Sequence, residues 1–130
     1  MIKGKVALVI DDEILIRMML AEFLEDRGFT TYEAENGYEG LELYEEKKPN
    51  IVVLDLRMPV IDGFGFLKQA NVSENDDCDV IVLTGHGGSS DKQLTLELGA
   101  KKFFRKPFEH DELVDAAVNL VELQDKKNLK

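Results

Sequence analysis

The chain has one cysteine, three prolines and no tryptophan in 130 residues. A single cysteine, Cys78, excludes an internal disulfide and suits a reducing compartment such as the cytoplasm. No apolar run exceeds about six residues, far short of the roughly 20 that a membrane-spanning helix needs. The amino terminus lacks a basic segment followed by a long apolar stretch, so no signal peptide is expected. Basic charge is also scarce: 16 Lys and Arg face 26 Asp and Glu, a formal net charge of -10. Phosphate backbones repel such a chain, which speaks against direct nucleic-acid binding by this segment. Internal repeats and low-complexity stretches are missing too.

What is present is a globular composition, 44% hydrophobic and 32% charged, at a length suited to one domain with one core. Strand-like and helix-like segments alternate. Lys5 to Ile10 is apolar and rich in β-branched residues. Ile16, Met19, Leu20, Phe23 and Leu24 then recur at helical spacing, and Gly28 supplies a left-handed stop. A short strand from Phe29 to Ala34 follows. Asn36 with Glu39 three residues on reads as a capping box for a helix to Lys48, where Pro49 blocks continuation.

Ile51 to Leu54 is a third strand, and Asp62-Gly63 caps a helix from about Phe64 to Val72. After the acidic loop from Ser73 to Asp77 comes a strand from Val80 to Thr84. Ser90 is a candidate cap for a helix to Leu98, and Gly99 ends that helix. Lys102 to Arg105 is a fifth strand. Leu113, Ala117, Leu120 and Val121 stripe a last helix. One domain is expected over 1–124, with 125–130 as a polar tail or the start of a linker.

Five such units mean α/β architecture. Strands apolar at every position are buried on both faces, so the sheet should be parallel with helices on each side. All carboxyl ends then lie on one edge, where ligands bind such sheets. Asp11, Asp12, Asp55, Thr84 and Lys106 all fall at expected carboxyl ends. Clustered there, the acids need a counter-charge: two like charges about 4 Å apart repel by roughly 4 kcal/mol at an effective dielectric near 20. Lys106 supplies one positive charge. A hard divalent cation, Mg²⁺ above all with Mn²⁺ as an alternative, would supply the rest. A carboxylate can itself act as the nucleophile in phosphoryl transfer, and Asp55 is the best candidate. In isolation, Asp55 reads equally well as a cap of the following turn.

The ordered set decides between them. Val9-Ile10-Asp11-Asp12-Glu13, Val53-Leu54-Asp55-Leu56-Arg57-Met58-Pro59 with Asp62-Gly63, Val82-Leu83-Thr84-Gly85 and Lys106-Pro107-Phe108 resemble the signature of response-regulator receiver domains over nearly the whole chain. The resemblance implies a flavodoxin-like, doubly wound parallel sheet in strand order 2-1-3-4-5. It implies Asp55 as the acceptor of a phosphoryl group from a histidine kinase or histidine phosphotransfer protein. Asp11, Asp12, Asp55 and the backbone carbonyl of Arg57 are then the metal ligands. Lys106, the Thr84 hydroxyl and the Gly85 N–H contact the phosphoryl group, and the Lys106-Pro107 bond is cis.

Thr84 and Phe103 are the implied switch pair, relaying to the face of the fourth helix, fifth strand and fifth helix. Arg57 and His86 tune the lifetime of the phosphoryl group. The output partner is unspecified, and phosphorylation-dependent homodimerisation is left open.

Two alternatives compete. A haloacid-dehalogenase-type phosphatase also forms an aspartyl phosphate, but it needs an acid two residues after the nucleophile, and Arg57 stands there. A nucleotide- or flavin-binding module needs a glycine- or hydroxyl-rich first loop, whereas Asp11-Asp12-Glu13 repels phosphate. His110, at the start of the last helix, reads as exposed, and Cys78 as a small apolar filler. Gly65 weakens its helix, with no functional account.

Overall fold

The computed structural model describes residues 2–85 and 89–128, the side chains of 89 and 128 excepted. It alternates β1 (Val6–Ile10), α1 (Ile14–Asp26), β2 (Thr30–Ala34), α2 (Gly37–Lys47), β3 (Ile51–Asp55), α3 (Gly63–Gln69), β4 (Asp79–Thr84), α4 (Ser89–Glu97), β5 (Lys102–Arg105) and α5 (His110–Asn128). The sheet is parallel throughout, in order β2-β1-β3-β4-β5. This is the doubly wound arrangement expected above.

Side-chain alternation along the strands divides the core in two. Leu8, Ile10, Val52, Leu54, Val80 and Val82 face one side and pack with Tyr44 of α2 and Phe66 and Leu67 of α3. Ala7, Val9, Ile51, Val53, Ile81 and Leu83 face the other, against Leu20 and Leu24 of α1 and Leu113, Ala117 and Val121 of α5. Every residue of β3 is buried, because helices cover both its faces.

Local signals set most boundaries. Asn36 Oδ1 accepts from Glu39 N–H at 2.9 Å, but Glu39 Oε1 reaches past the cap to Glu35 N–H at 3.0 Å, so the expected reciprocal box closes one residue early. Asp62 Oδ1 caps α3 through Gly65 N–H at 2.8 Å. That helix is shorter than expected. Asn71 adopts a left-handed conformation (φ 53), so Val72 leaves the helix and starts a 3-10 turn, Val72–Glu74, that still buries it. Helix α4 begins at Ser89, which places Ser90 inside the helix instead of at its cap. Gly99 closes the α4 segment at φ +110, and a Cβ there would lie 2.8 Å from Ser73 N.

Helix α5 takes in the polar residues from Asp125 to Asn128. Buried Gln124 donates to Asn50 O at 2.9 Å and Asp79 Oδ2 at 2.7 Å. His110 is half-buried, not exposed: its ring stacks on Phe23 at 5.0 Å and lies 5.2 Å from Phe108. Cys78 is buried, and desolvation pushes its thiol far above its ordinary range, as befits a filler. No helix among the described residues is long and apolar enough to cross a membrane.

Candidate functional site

Parallel register brings the strand ends together. Ile10 pairs with Leu54, Asp55 with Leu83, and Thr84 with Arg105. Asp11, Asp55, Thr84 and Lys106 therefore emerge side by side at one edge. Hydrogen bonds just beyond the strands fix them there: Asp11 N–H to Ala34 O at 3.1 Å, Leu56 N–H to Leu83 O at 3.0 Å, and Lys106 N–H to Thr84 O at 2.7 Å. Gly63 lets α3 start close to β3, since a Cβ on it would lie 2.8 Å from Leu56 Cα and 2.9 Å from Asp55 O. The Lys106-Pro107 peptide is cis.

Asp11, Asp12 and Asp55 each offer a carboxylate oxygen within 4.8 Å of the others. Asp11 and Asp55 are buried and Asp12 is exposed, so the cluster opens to solvent on the Asp12 side. Lys106 Nζ reaches three acids, Glu13 Oε1 at 2.7 Å, Asp11 Oδ2 at 3.1 Å and Asp55 Oδ1 at 3.6 Å. The Asp11 contact is an ion pair to a fully buried carboxylate, whose Oδ2 makes no hydrogen bond that meets geometric criteria among the described residues.

Burial, then the charge of Asp11, pushes the Asp55 carboxyl up to about 7, against the opposing pull of Lys106. Asp11 is raised as well, by burial first. Burial pulls Lys106 down, but its hydrogen bond to Glu13 and the charges of Asp11 and Asp55 outweigh it and hold the ammonium above its usual range. Two buried acids, an acceptor oxygen without such a bond and one lysine make a set that a hard, oxygen-seeking dication fits.

The remaining expected residues fall around this core. The Thr84 side chain is fully buried beside Asp55's strand, and Gly85 is exposed just past it. The Arg57 side chain points away, its Nη2 3.3 Å from Asp91 Oδ2 in the first turn of α4, while its N–H makes a long 3.4 Å contact with Asp55 Oδ1. Phe103 is half-buried and packs on the cluster that holds Val82. His86 lies outside the described residues.

Sequence reasoning missed two supporting groups. Arg17 Nη1 donates to Asp11 O at 2.8 Å while its Nε holds Glu33 at 3.1 Å, clamping the acidic loop to α1. Glu13 is the shortest partner of Lys106. The signal for Arg17 was its place one helical turn after Glu13, whose carbonyl accepts its N–H at 3.0 Å.

The family model for the response regulator receiver domain matches residues 7–118. The chain belongs to the response-regulator receiver family. This receiver is 35% identical over 117 residues to sporulation initiation phosphotransferase F of Bacillus subtilis (strain 168), covering 90% of this chain and 94% of that protein. It is 39% identical over 112 residues to a probable transcriptional regulator, ycf27, of Cyanophora paradoxa. That match covers 86% of this chain and 46% of the relative, so the receiver spans about half of it. A response regulator receiver domain protein (CheY-like) from Methanospirillum hungatei JF-1 has the same fold, with a TM-score of 0.88 over 95% of this chain and 98% of that one, at 24% identity.

Proposed function

We propose that Asp55 accepts a phosphoryl group from a phosphohistidine on a histidine kinase or phosphotransfer protein, in a Mg²⁺-dependent reaction, and that the adduct is a signal. The convergence of Asp11, Asp12 and Asp55 with Lys106 at one sheet edge carries this reading. A carboxylate oxygen of Asp55 attacks phosphorus, the P–N bond to the donor imidazole breaks, and its electron pair stays on the departing nitrogen. Asp11, Asp12, Asp55 and the Arg57 carbonyl would hold the cation, which when bound offsets negative charge on the acids and the phosphoryl oxygens. Lys106 offers its ammonium to one phosphoryl oxygen, and the Thr84 hydroxyl and Gly85 N–H serve others.

The donor's approach has a surface suited to it. Ile14, Leu15, Met18 and Met19 on α1, just past the acidic loop, are 57%, 72%, 53% and 45% exposed. Such an apolar stripe beside the acceptor fits a helical partner. The match to a protein named a phosphotransferase supports phosphoryl transfer.

On the output side, the new charge draws Thr84 and Lys106 inward, and Phe103 repacks on the α4-β5-α5 face. Arg57 and His86 modulate the lifetime of the adduct. The receiver unit spans 1–124 and works in the cytoplasm as a switch without small-molecule turnover. Its output is a separate domain or protein, and homodimerisation on phosphorylation is one route to it.

Acetyl phosphate with Mg²⁺ should give an acid-stable, base-labile adduct on wild type and none on Asp55→Asn. An equal adduct on both refutes the assignment. Steady hydrolysis of small phosphate esters would instead favour a phosphatase, the reading that Arg57 already disfavours.

A further inference from the structure

Lys106 has one ammonium and three carboxylates in reach, and they are unequal. Glu13 holds the hydrogen bond at 2.7 Å, while Asp55, the proposed acceptor, stands 3.6 Å away. Asp11 and Asp55 are buried on a strand end, whereas the Glu13 side chain is 58% exposed and free to swing into water. Its backbone is held separately: Glu13 N–H donates to Asp11 Oδ1 at 2.9 Å, and Glu13 O accepts from Arg17 N–H at 3.0 Å. Glu13 also occupies the N-cap of α1 without making a side-chain cap. A residue at that position ordinarily turns its oxygen to the helix N–H groups. Here the carboxylate turns to Lys106.

We propose that Glu13 is a releasable counter-ion for Lys106: it holds the ammonium off Asp55 while the site is empty and gives it up when a phosphoryl oxygen arrives. This rests on the function proposed above. Glu13 is a positioning residue, acting through Lys106 and not on phosphorus. The phosphoryl group, carrying about two negative charges, outcompetes one partly solvated carboxylate for the same ammonium. The switching equilibrium therefore includes the loss of the Glu13–Lys106 pair, and removing that pair in advance favours the phosphorylated geometry.

The test uses beryllofluoride, a phosphoryl mimic, with Mg²⁺ on wild type, Glu13→Gln and Glu13→Asp. The aspartate keeps the charge but falls one methylene short of Lys106. Both variants should bind beryllofluoride about two- to five-fold more tightly, the range of a partly exposed ion pair. The gain should shrink as ionic strength rises. The Lys106 Nζ resonance in ¹⁵N NMR should start, in both variants, nearer its beryllofluoride-bound position.

If Glu13→Gln tightens binding and Glu13→Asp does not, the effect is that of a charge near the site, and the counter-ion role is wrong. No change in either variant, with wild type binding normally, also overturns it and leaves the acceptor role of Asp55 intact. Wild type that binds no beryllofluoride overturns both.

Discussion

Replacing Asp55 by asparagine should make the metal-free protein more stable, and more so at higher pH. The ordinary value of its carboxyl is 3.8, and burial next to Asp11 lifts it to about 7. The folded state therefore binds this proton more tightly than the unfolded state. Linkage fixes the sign: below 3.8 both states are protonated and nothing is lost. Between 3.8 and 7 the unfolded chain ionises first and folding loses stability as pH rises; above 7 the loss is complete. A lift of that size corresponds to on the order of 4 kcal/mol, and relaxation of the exposed Asp12 side trims it to roughly 2–4.

Asparagine keeps the shape and drops the charge. Chemical denaturation in the presence of a chelator measures the gap directly. At pH 8 Asp55→Asn should exceed wild type by about 2–4 kcal/mol, and at pH 5 by less than half of that. In thermal melts each kcal/mol is worth roughly 3–5 °C at this chain length. Added Mg²⁺ should raise wild type and leave the variant nearly unmoved, closing the gap. A variant less stable than wild type at pH 8, or a gap that does not widen from pH 5, refutes the charge argument.

Other perturbations probe the same balance and the backbone around it. Lys106→Met removes the cation that faces buried Asp11 and Asp55, and should destabilise the metal-free protein at pH 8 by about 2 kcal/mol or more, read by urea melts. Val60 is 81% exposed at φ 74, a conformation hostile to a β-branched side chain. Val60→Gly should stabilise by about 1 kcal/mol, with the rate of labelling by acetyl phosphate unchanged. Gly99→Ala should cost more than about 1 kcal/mol in the same melts, because the backbone is left-handed and Ser73 N blocks the new methyl group.

The sheet and the site were legible in the sequence for one reason. Strands apolar at every position can only be buried on both faces, and parallel strands put all their carboxyl ends on one edge. Once Val6–Ile10, Ile51–Asp55 and Asp79–Thr84 are strands, the polar residues that end them must be neighbours. The details that escaped depend on approach in three dimensions. Nothing local says that Glu13 turns to a lysine 93 positions away, or that His110 lies against Phe23. The segment from Phe64 to Val72 reads as one helix, yet Asn71 breaks it first. A left-handed asparagine is a backbone event that hydrophobic periodicity does not register.

The same arrangement lets the site step its negative charge down before a phosphoryl group arrives. Asp11, Asp12, Glu13 and Asp55 against Lys106 leave it formally three charges negative with the acids ionised, so an approaching phosphoryl donor meets repulsion and a dication meets attraction. A bound dication would lower that excess to one, which makes room for the phosphoryl group to arrive. On the function proposed above, arrival turns Asp55 from a competitor for Lys106 into the anchor of new acceptor oxygens. Lys106 is continuous with β5 through Arg105, and its N–H is bonded to Thr84 O, so a pull on its ammonium is a pull on the ends of β4 and β5 together. Phe103 lies on that strand, half-buried and without a hydroxyl to tether it. Under the proposed function, charge transfer at one edge of the sheet thus becomes repacking on its β5 side, with Glu13 setting how readily the lysine moves.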